Sequence, residues 1–241
     1  ISYCSFPADE SVQRGGWDGI LKGTIKGNEY VPQGDSVWEF SVRNDKIKAD
    51  EDYEKRTENP KNVIQKDTTY IFITSRQYTN KDVWVKEKKE QNKWKDVRYY
   101  DANDLEQWLD ICPAVNYWFS RLCGKQPDDV VDLEEFWENF SKDTRPYITP
   151  DIIVNDRSEE KQKIISWFKA PPSQLLCSAE SKKEAIAFLI SVIKQLTDNE
   201  QYEFFSKSLI VKNYSSWKEL LYFQEAMILI PDITEHVNIN I

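Results

Sequence analysis

Residues 16–57 read GWDGILKGTIKGNEYVPQGDSVWEFSVRNDKIKADEDYEKRT and combine glycine-flanked turns, an apolar run and a charged segment. Residues 37–42 (VWEFSV) alternate with the two-residue period of a β-strand, so Glu39 shares one face with Val37 and Ser41. The opposite face carries Trp38, Phe40 and Val42. A carboxylate on the inner face of a strand is costly unless it is solvated, paired or bound to a metal ion. The pattern therefore predicts a specific partner for Glu39.

A second acid, Asp18, lies in a segment whose glycines favour a tight turn: Gly15, Gly16 and Gly19 surround it. Spacing alone leaves two interpretations open, a surface aspartate in a structural turn or a functional carboxylate. If the turn brings Asp18 beside Glu39, the two carboxylates form a hard-oxygen site suited to Mg²⁺.

After the strand, residues 46–57 are predicted to form a helix. Its packed face has the i, i+4, i+7 spacing and consists of Ala49, Tyr53 and Arg56. Another face carries Lys48 and Asp52, and a charged face of this kind is usually solvated.

Further along, apolar strands alternate with helices, which predicts a mixed or parallel α/β sheet with right-handed crossovers. We expect an α/β domain over residues 1–124, in which strands 37–42, 70–74 and 97–100 are neighbours. The intervening helix, at 81–91, is predicted to pack through Val83, Trp84 and Lys88. Residues 81–98 carry seven basic and four acidic side chains, and their tryptophans, Trp84 and Trp94, are predicted in the core rather than as nucleic-acid stacking platforms.

The rest of the chain divides into a predicted helical and proline-containing linker, 125–150, and a second α/β segment, 151–241. The predicted elements of that segment are a strand at 174–178, a helix at 182–197, a strand at 209–212 and a strand at 227–230. This order is NTPase-like, but residues 151–241 contain no glycine and so no phosphate-binding loop. Lys182 or Lys183 would be a weak substitute, and Asp232 occupies the position of a Walker-B-like acid. We interpret the segment as a truncated, degenerate NTPase-like unit without nucleotide.

Composition excludes several classes of function. The net charge of −9 argues against electrostatic binding of DNA by the molecule as a whole. The sequence has one histidine, His236, which argues against a Ser-His-Asp triad or a metal site built from several histidines. The four scattered cysteines indicate free thiols in a reducing cytoplasm, and no apolar run approaches the length of a membrane span. Because the chain begins at Ile1, we expect it to be part of a longer protein.

Three segments, GWDG (16–19), VPQGDSVWEFS (31–41) and KADEDYEKRT (48–57), resemble the PD-(D/E)xK nuclease superfamily, roughly over residues 11–118. More narrowly, they look like the N-terminal nuclease-like domain of large bacterial antiviral STAND NTPases (Avs-like proteins). The resemblance implies a restriction-endonuclease-like fold, an endonuclease that cleaves DNA in the cytoplasm, and association with further domains and other copies when activated. It also implies that Asp18 and Glu39 bind Mg²⁺ or Mn²⁺.

One position departs from the family pattern. The lysine expected two residues after the strand acid is replaced by Ser41, which stands at that catalytic position. Lys48 is the candidate replacement cation, and Lys46 is the alternative. The departure and the acidic charge leave a second hypothesis open, a catalytically silent nuclease fold used for protein interaction or sensing.

Overall fold

Two separate β-sheets form in the part of the chain that the computed structural model describes, residues 2–7, 16–43, 46–125, 129–220 and 228–232. They belong to two structural units, Ile1–Trp108 and Leu109–Ile241. Each unit therefore has its own sheet and core.

The first sheet has five strands in the order β1-β2-β3-β4-β5. They are β1 (Tyr3–Ser5), β2 (Gly19–Lys22), β3 (Ser36–Ser41), β4 (Thr69–Thr74) and β5 (Asp96–Tyr100). Antiparallel pairing joins β1 to β2 and β2 to β3, whereas β3, β4 and β5 are parallel. The helices are α1 (Lys46–Glu58), α2 (Lys81–Glu90) and α3 (Ala102–Asp110). The unit is thus an α/β fold with a mixed sheet, and the predicted adjacency of its three parallel strands is confirmed.

Both faces of the interior strands are covered near their starts, whereas Phe40 and Val42 at the end of the β3 segment are exposed. All six residues of β4 are buried, as expected for a central strand. Val37 packs with Ala49 and Tyr53 of α1, whereas Trp38 on the other face contacts the Phe6 ring.

The tryptophans predicted in the core are buried, and they join an aromatic cluster between the sheet and the helices. Trp84 contacts Tyr53 and Tyr99 edge-on, and Trp94 contacts Tyr70. The prediction for α2 was wrong at Val83, whose exposed fraction is 57%, because α2 turns Trp84 and Lys88 inward instead.

The second unit has a three-stranded sheet in the order β6-β7-β8, with β6 and β7 antiparallel and β7 and β8 parallel. Its strands are β6 (Val130–Asp132), β7 (Ser208–Val211) and β8 (Ile228–Pro231). Its helices are α4 (Pro113–Leu122), α5 (Leu133–Lys142), α6 (Pro150–Val154), α7 (Ser158–Phe168), α8 (Lys182–Ile193), α9 (Asp198–Lys207) and α10 (Tyr214–Leu220). The core centres on the apolar face of α8, which includes Ile186, Ile190 and Ile193.

The structure corrects two expectations about this half. The units divide between Trp108 and Leu109, not at residue 124, and residues 125–150 are not a linker. Residues 130–132 pair with β7, and Asp132 then caps α5 by accepting a hydrogen bond from the Glu135 amide at 2.8 Å. The predicted strand at 174–178 is also absent. In the described structure that segment is irregular and exposed.

Among the described residues, no helix is long and apolar enough to cross a membrane. The four cysteines are free thiols, as their scattered spacing indicated.

Candidate active site

Glu39 lies at the centre of the candidate site, on the face of β3 that α1 covers. The residue is only 5% exposed, and Arg56 of α1 donates from Nε to Glu39 Oε1 at 2.5 Å. Arg56 also donates to the carbonyl of Gly16, and its guanidinium lies 4.7 Å from the centroid of the Trp17 ring. The partner that the buried carboxylate required is therefore an arginine from the packed face of the crossover helix.

Asp18 is brought to the same strand by the pairing of β2 with β3. Its Oδ2 accepts a hydrogen bond from the Phe40 amide at 2.8 Å, one residue after Glu39. Close approach of the chains requires glycine at position 19, since a Cβ there would lie 2.3 Å from the Phe6 ring and 3.0 Å from Trp38 Cβ. The two acids singled out from the sequence thus lie next to one another on the sheet.

Burial raises the pKa of Glu39 from 4.5 to about 7, against the hydrogen bond and charge of Arg56, which lower it. The negative charges of Asp18 and Asp52 raise this pKa further. The ion-pair geometry favours a charged Glu39, whereas desolvation opposes it. When Glu39 is ionised, three negative side chains lie together with two positive ones, Arg56 and Lys48. The three acids are Asp18, Glu39 and Asp52.

Asp52 is the functional candidate that the sequence did not single out. It is buried on α1, and its Oδ1 accepts from Lys48 Nζ at 2.6 Å. Lys48, Asp52 and Arg56 follow one another at four-residue intervals, so they form one row along the helix. That spacing was the available signal, but it did not reveal that the row faces Glu39.

The two lysines proposed as replacement cations have different surroundings. Lys48 pairs with Asp52, beside the acids, whereas Lys46 Nζ lies 2.9 Å from Glu87 Oε2 on α2. Ser41 carries no charge, and its hydroxyl accepts a hydrogen bond from the Arg43 amide at 3.0 Å where β3 ends. Of these three residues, Lys48 is the one that pairs with an acid, Asp52, whose charge acts on Glu39.

Two buried polar atoms near the acids have no hydrogen-bond partner within the described ranges, the Tyr70 hydroxyl and Trp17 Nε1. Tyr70 is close enough to Glu39, Asp52 and Arg56 for their charges to affect the pKa of its hydroxyl, which burial raises well above its usual value. Buried polar groups are normally satisfied by protein or water.

The donor atoms fit a hydrated Mg²⁺ or Mn²⁺ ion better than a fully enclosed metal. Asp18, Glu39 and Asp52 each use one carboxylate oxygen in the bonds described above, and their second oxygens have no partner in the described structure. No three histidine, cysteine, aspartate or glutamate side chains of the described residues are grouped closely enough to form a metal centre. Mg²⁺ commonly binds through one or two carboxylates and retains several waters, which is compatible with Asp18 and Glu39.

Four of the seven basic side chains in segment 81–98 form ion pairs within the domain, Arg98 among them through Asp96. Its paired lysines are Lys81 with Asp101 and Asp104, Lys88 with Asp50, and Lys89 with Asp96. Part of the local excess of positive charge is therefore neutralised within the fold, while Lys86, Lys93 and Lys95 are exposed.

The residues considered for nucleotide binding, at 182, 183 and 232, have no glycine-rich loop beside them in the sequence. Lys182 and Lys183 are exposed at the start of α8, which Ser181 caps by accepting from the Glu184 amide at 3.1 Å. The Asp232 amide donates to the Val211 carbonyl at 2.8 Å. His236 lies outside the described residues.

Comparisons with protein-family models, characterised proteins and solved structures give no match to this chain. Function is therefore inferred from the side chains around Glu39.

Proposed function

We propose that residues 1–108 form a metal-dependent nuclease domain of the PD-(D/E)xK type that hydrolyses phosphodiester bonds of DNA. The observation that carries this proposal is the contact of Asp18 with the Phe40 amide, beside the buried Glu39. Two carboxylates from adjacent strands, one of them desolvated, make a site that favours a divalent cation. The mixed α/β sheet flanked by helices is consistent with a restriction-endonuclease-like fold.

Each residue of the site has a distinct role in this proposal. Asp18 and Glu39 hold Mg²⁺ or Mn²⁺, which when bound supplies an activated hydroxide and stabilises charge on the phosphate. Lys48, partly exposed next to the acids, faces the scissile phosphate as the electrostatic helper. Ser41 occupies the position of the family lysine without its charge.

The biological role follows from the resemblance to Avs-like STAND proteins. We propose that the domain is the effector of a cytoplasmic antiviral defence protein, activated by association of several copies. The second unit would be a degenerate NTPase-like segment without nucleotide, since it lacks glycine between residues 151 and 241. Its contribution would be to connect the nuclease to further domains of the same chain.

Substitution of the two metal ligands tests the nuclease. Asp18→Asn and Glu39→Gln keep the shape of each side chain but remove its charge, so each should slow cleavage by roughly a thousandfold or more. Lys48→Ala should slow it by roughly ten- to a thousandfold. Cleavage of linear DNA by the activated full-length protein with Mg²⁺ or Mn²⁺ is the measurement.

Glu51→Gln is the matched control, because Glu51 is an exposed acid on the same helix, α1, and should leave the rate unchanged. The melting temperature of every variant verifies folding. Cleavage that persists in Asp18→Asn would place the chemistry elsewhere in the chain.

The second candidate function is a silent nuclease fold that binds proteins. The ion pair between Arg56 and Glu39 favours it, because an arginine already neutralises the acid that a metal would need. Ser41 favours it as well. Wild-type protein that neither cleaves DNA nor binds Mn²⁺ would support this alternative.

A further inference from the structure

Arg56 is the side chain of the site with no role so far in the proposed nuclease. It is buried, and its Nε donates to the same carboxylate, Glu39, that is proposed to hold the metal. A divalent cation and a guanidinium at the same carboxylate repel one another strongly at low effective dielectric. Metal binding at Glu39 therefore requires Arg56 to move or to share its partner.

A second partner for Arg56 lies one helical turn away. Asp52 precedes it by four residues on α1, and side chains with this spacing are neighbours on a helix surface. One oxygen of Asp52 accepts from Lys48, while the other has no partner in the described structure. The ring of Trp17, under the guanidinium, provides a flat surface along which Arg56 can move while it stays in contact.

The movement has a consequence for Lys48. In the present arrangement Lys48 and Arg56 each have a carboxylate, Asp52 and Glu39 respectively. If Arg56 transfers to Asp52, that carboxylate becomes shared, and its hold on Lys48 weakens. The Lys48 side chain is already 32% exposed, so its ammonium can turn towards a phosphate at the surface.

We propose that Arg56 is a positioning residue that alternates between two carboxylates, pairing with Glu39 when no metal is bound and with Asp52 when Mg²⁺ or Mn²⁺ binds. This inference rests on the proposed metal-dependent function. Arg56 would keep the buried carboxylate paired in the metal-free protein and would weaken the hold of Asp52 on Lys48 only when the metal is present. Binding of the metal and availability of the catalytic cation would thereby be coupled.

Mn²⁺ alone is the probe, and its affinity for the 241-residue chain is measured by calorimetry at about pH 8.5, where carboxylates are deprotonated. Arg56→Gln removes the competing charge, so Mn²⁺ should bind about tenfold or more tightly, while the metal-free protein should melt at a lower temperature. Lys55→Gln removes a neighbouring exposed charge on the same helix and should leave both quantities unchanged. If Arg56→Gln does not fold, Arg56→Lys replaces it in the same measurement. Lysine keeps the positive charge but cannot reach Glu39 and Gly16 together.

A double-mutant cycle distinguishes a positioning role for Asp52 from direct metal ligation. Asp52→Asn removes the second partner of Arg56, so it should weaken Mn²⁺ binding by about tenfold in the wild-type background. In the Arg56→Gln background the same substitution should weaken binding by about threefold or less, because no arginine needs a second partner. Equal losses in both backgrounds would make Asp52 a ligand and overturn the alternation.

The two proposals fail in different ways. Mn²⁺ binding that is lost in Asp18→Asn but is not tightened by Arg56→Gln or Arg56→Lys would overturn the role of Arg56 and leave the metal site intact. Absence of Mn²⁺ binding in wild type and in both Arg56 variants would overturn the metal site itself, and the inference with it.

Discussion

At the scale of single residues, the sequence pattern predicted the two acids of the site but not their partners on the helix. Alternation placed Glu39 on an inner face, and glycine spacing allowed Asp18 to lie beside it, so both acids could be predicted. Arg56 was assigned correctly to the packed face of its helix, but periodicity does not say which strand residue a helix side chain meets. The roles of Arg56 and Asp52 therefore required the packing of α1 on β3.

Glu39 should make the stability of the metal-free protein depend on pH. Its pKa is about 7 in the folded protein and 4.5 without the fold, so its stabilising contribution is complete below about pH 4.5 and is lost as the pH rises through 7. The free energy of unfolding should fall by about 3 kcal/mol from this group over that window. Glu39→Gln keeps a hydrogen-bonding side chain but cannot titrate, so it should flatten that part of the profile.

Urea unfolding between pH 4.5 and 8.5 with chelator present measures this dependence. Other groups that titrate in the same window contribute equally to both proteins, so the difference between the two profiles isolates Glu39. Identical slopes in wild type and Glu39→Gln would show that the carboxyl group does not titrate in this range.

At the scale of secondary-structure elements, apolar runs predicted most strands, including two short ones, because the strands expected at 209–212 and 227–230 correspond to β7 and β8, whereas β6 was missed. The apolar strand predicted at 70–74 is suited to burial inside a sheet, and it forms β4, an interior strand between β3 and β5 whose six residues are all buried. The three residues of β6 are too few to show a period of two, and their partner, β7, is far away in sequence. The segment at 174–178 has strand-like composition, but it forms no strand within the described part of the chain.

The contact between α1 and α2 depends on a buried lysine, which leads to a stability prediction. Lys88 Nζ lies 2.6 Å from Asp50 Oδ1 and within 4.9 Å of the centroid of the Tyr53 ring, and Asp50 also accepts from Trp84 Nε1 at 2.9 Å. Lys88→Ala removes the cation and leaves a cavity, so it should lower the free energy of unfolding by about 3 kcal/mol.

The neighbouring residue provides the control for this experiment. Lys89 pairs with Asp96 at 2.7 Å, but about half of its side chain is exposed, so Lys89→Ala should cost about 1 kcal/mol or less. Both variants are compared by urea unfolding. Equal losses would mean that burial of Lys88 adds nothing to the stability of the helix pair.

At the scale of the whole molecule, charge was predictable from composition but its distribution was not. The net charge of −9 and the positive excess at 81–98 follow directly from the sequence. Asp50, Asp101 and Asp104, which lie outside that segment, offset the excess, and they reach it only through the fold. The division of the chain at Trp108 was likewise missed, since the proline-rich stretch after residue 124 resembles a linker but precedes a helix of the second unit.

This distribution of charge predicts that the isolated chain binds DNA weakly and that association of copies restores activity. Non-specific affinity depends on phosphate neutralisation by lysine and arginine, so the dissociation constant at physiological salt should be no tighter than about 10⁻⁵ M. A dimerising coiled coil fused to the 241-residue chain places two domains on one duplex, and avidity should then tighten binding by about a hundredfold. Fluorescence anisotropy of a labelled duplex measures both constants, and cleavage with Mn²⁺ should rise in parallel.

The same fusion carrying Glu39→Gln should gain the affinity but not the cleavage, because dimerisation acts on binding whereas Glu39 acts on the metal. Submicromolar binding by the unfused chain would contradict this prediction and would require a cationic surface that the paired lysines of 81–98 do not provide.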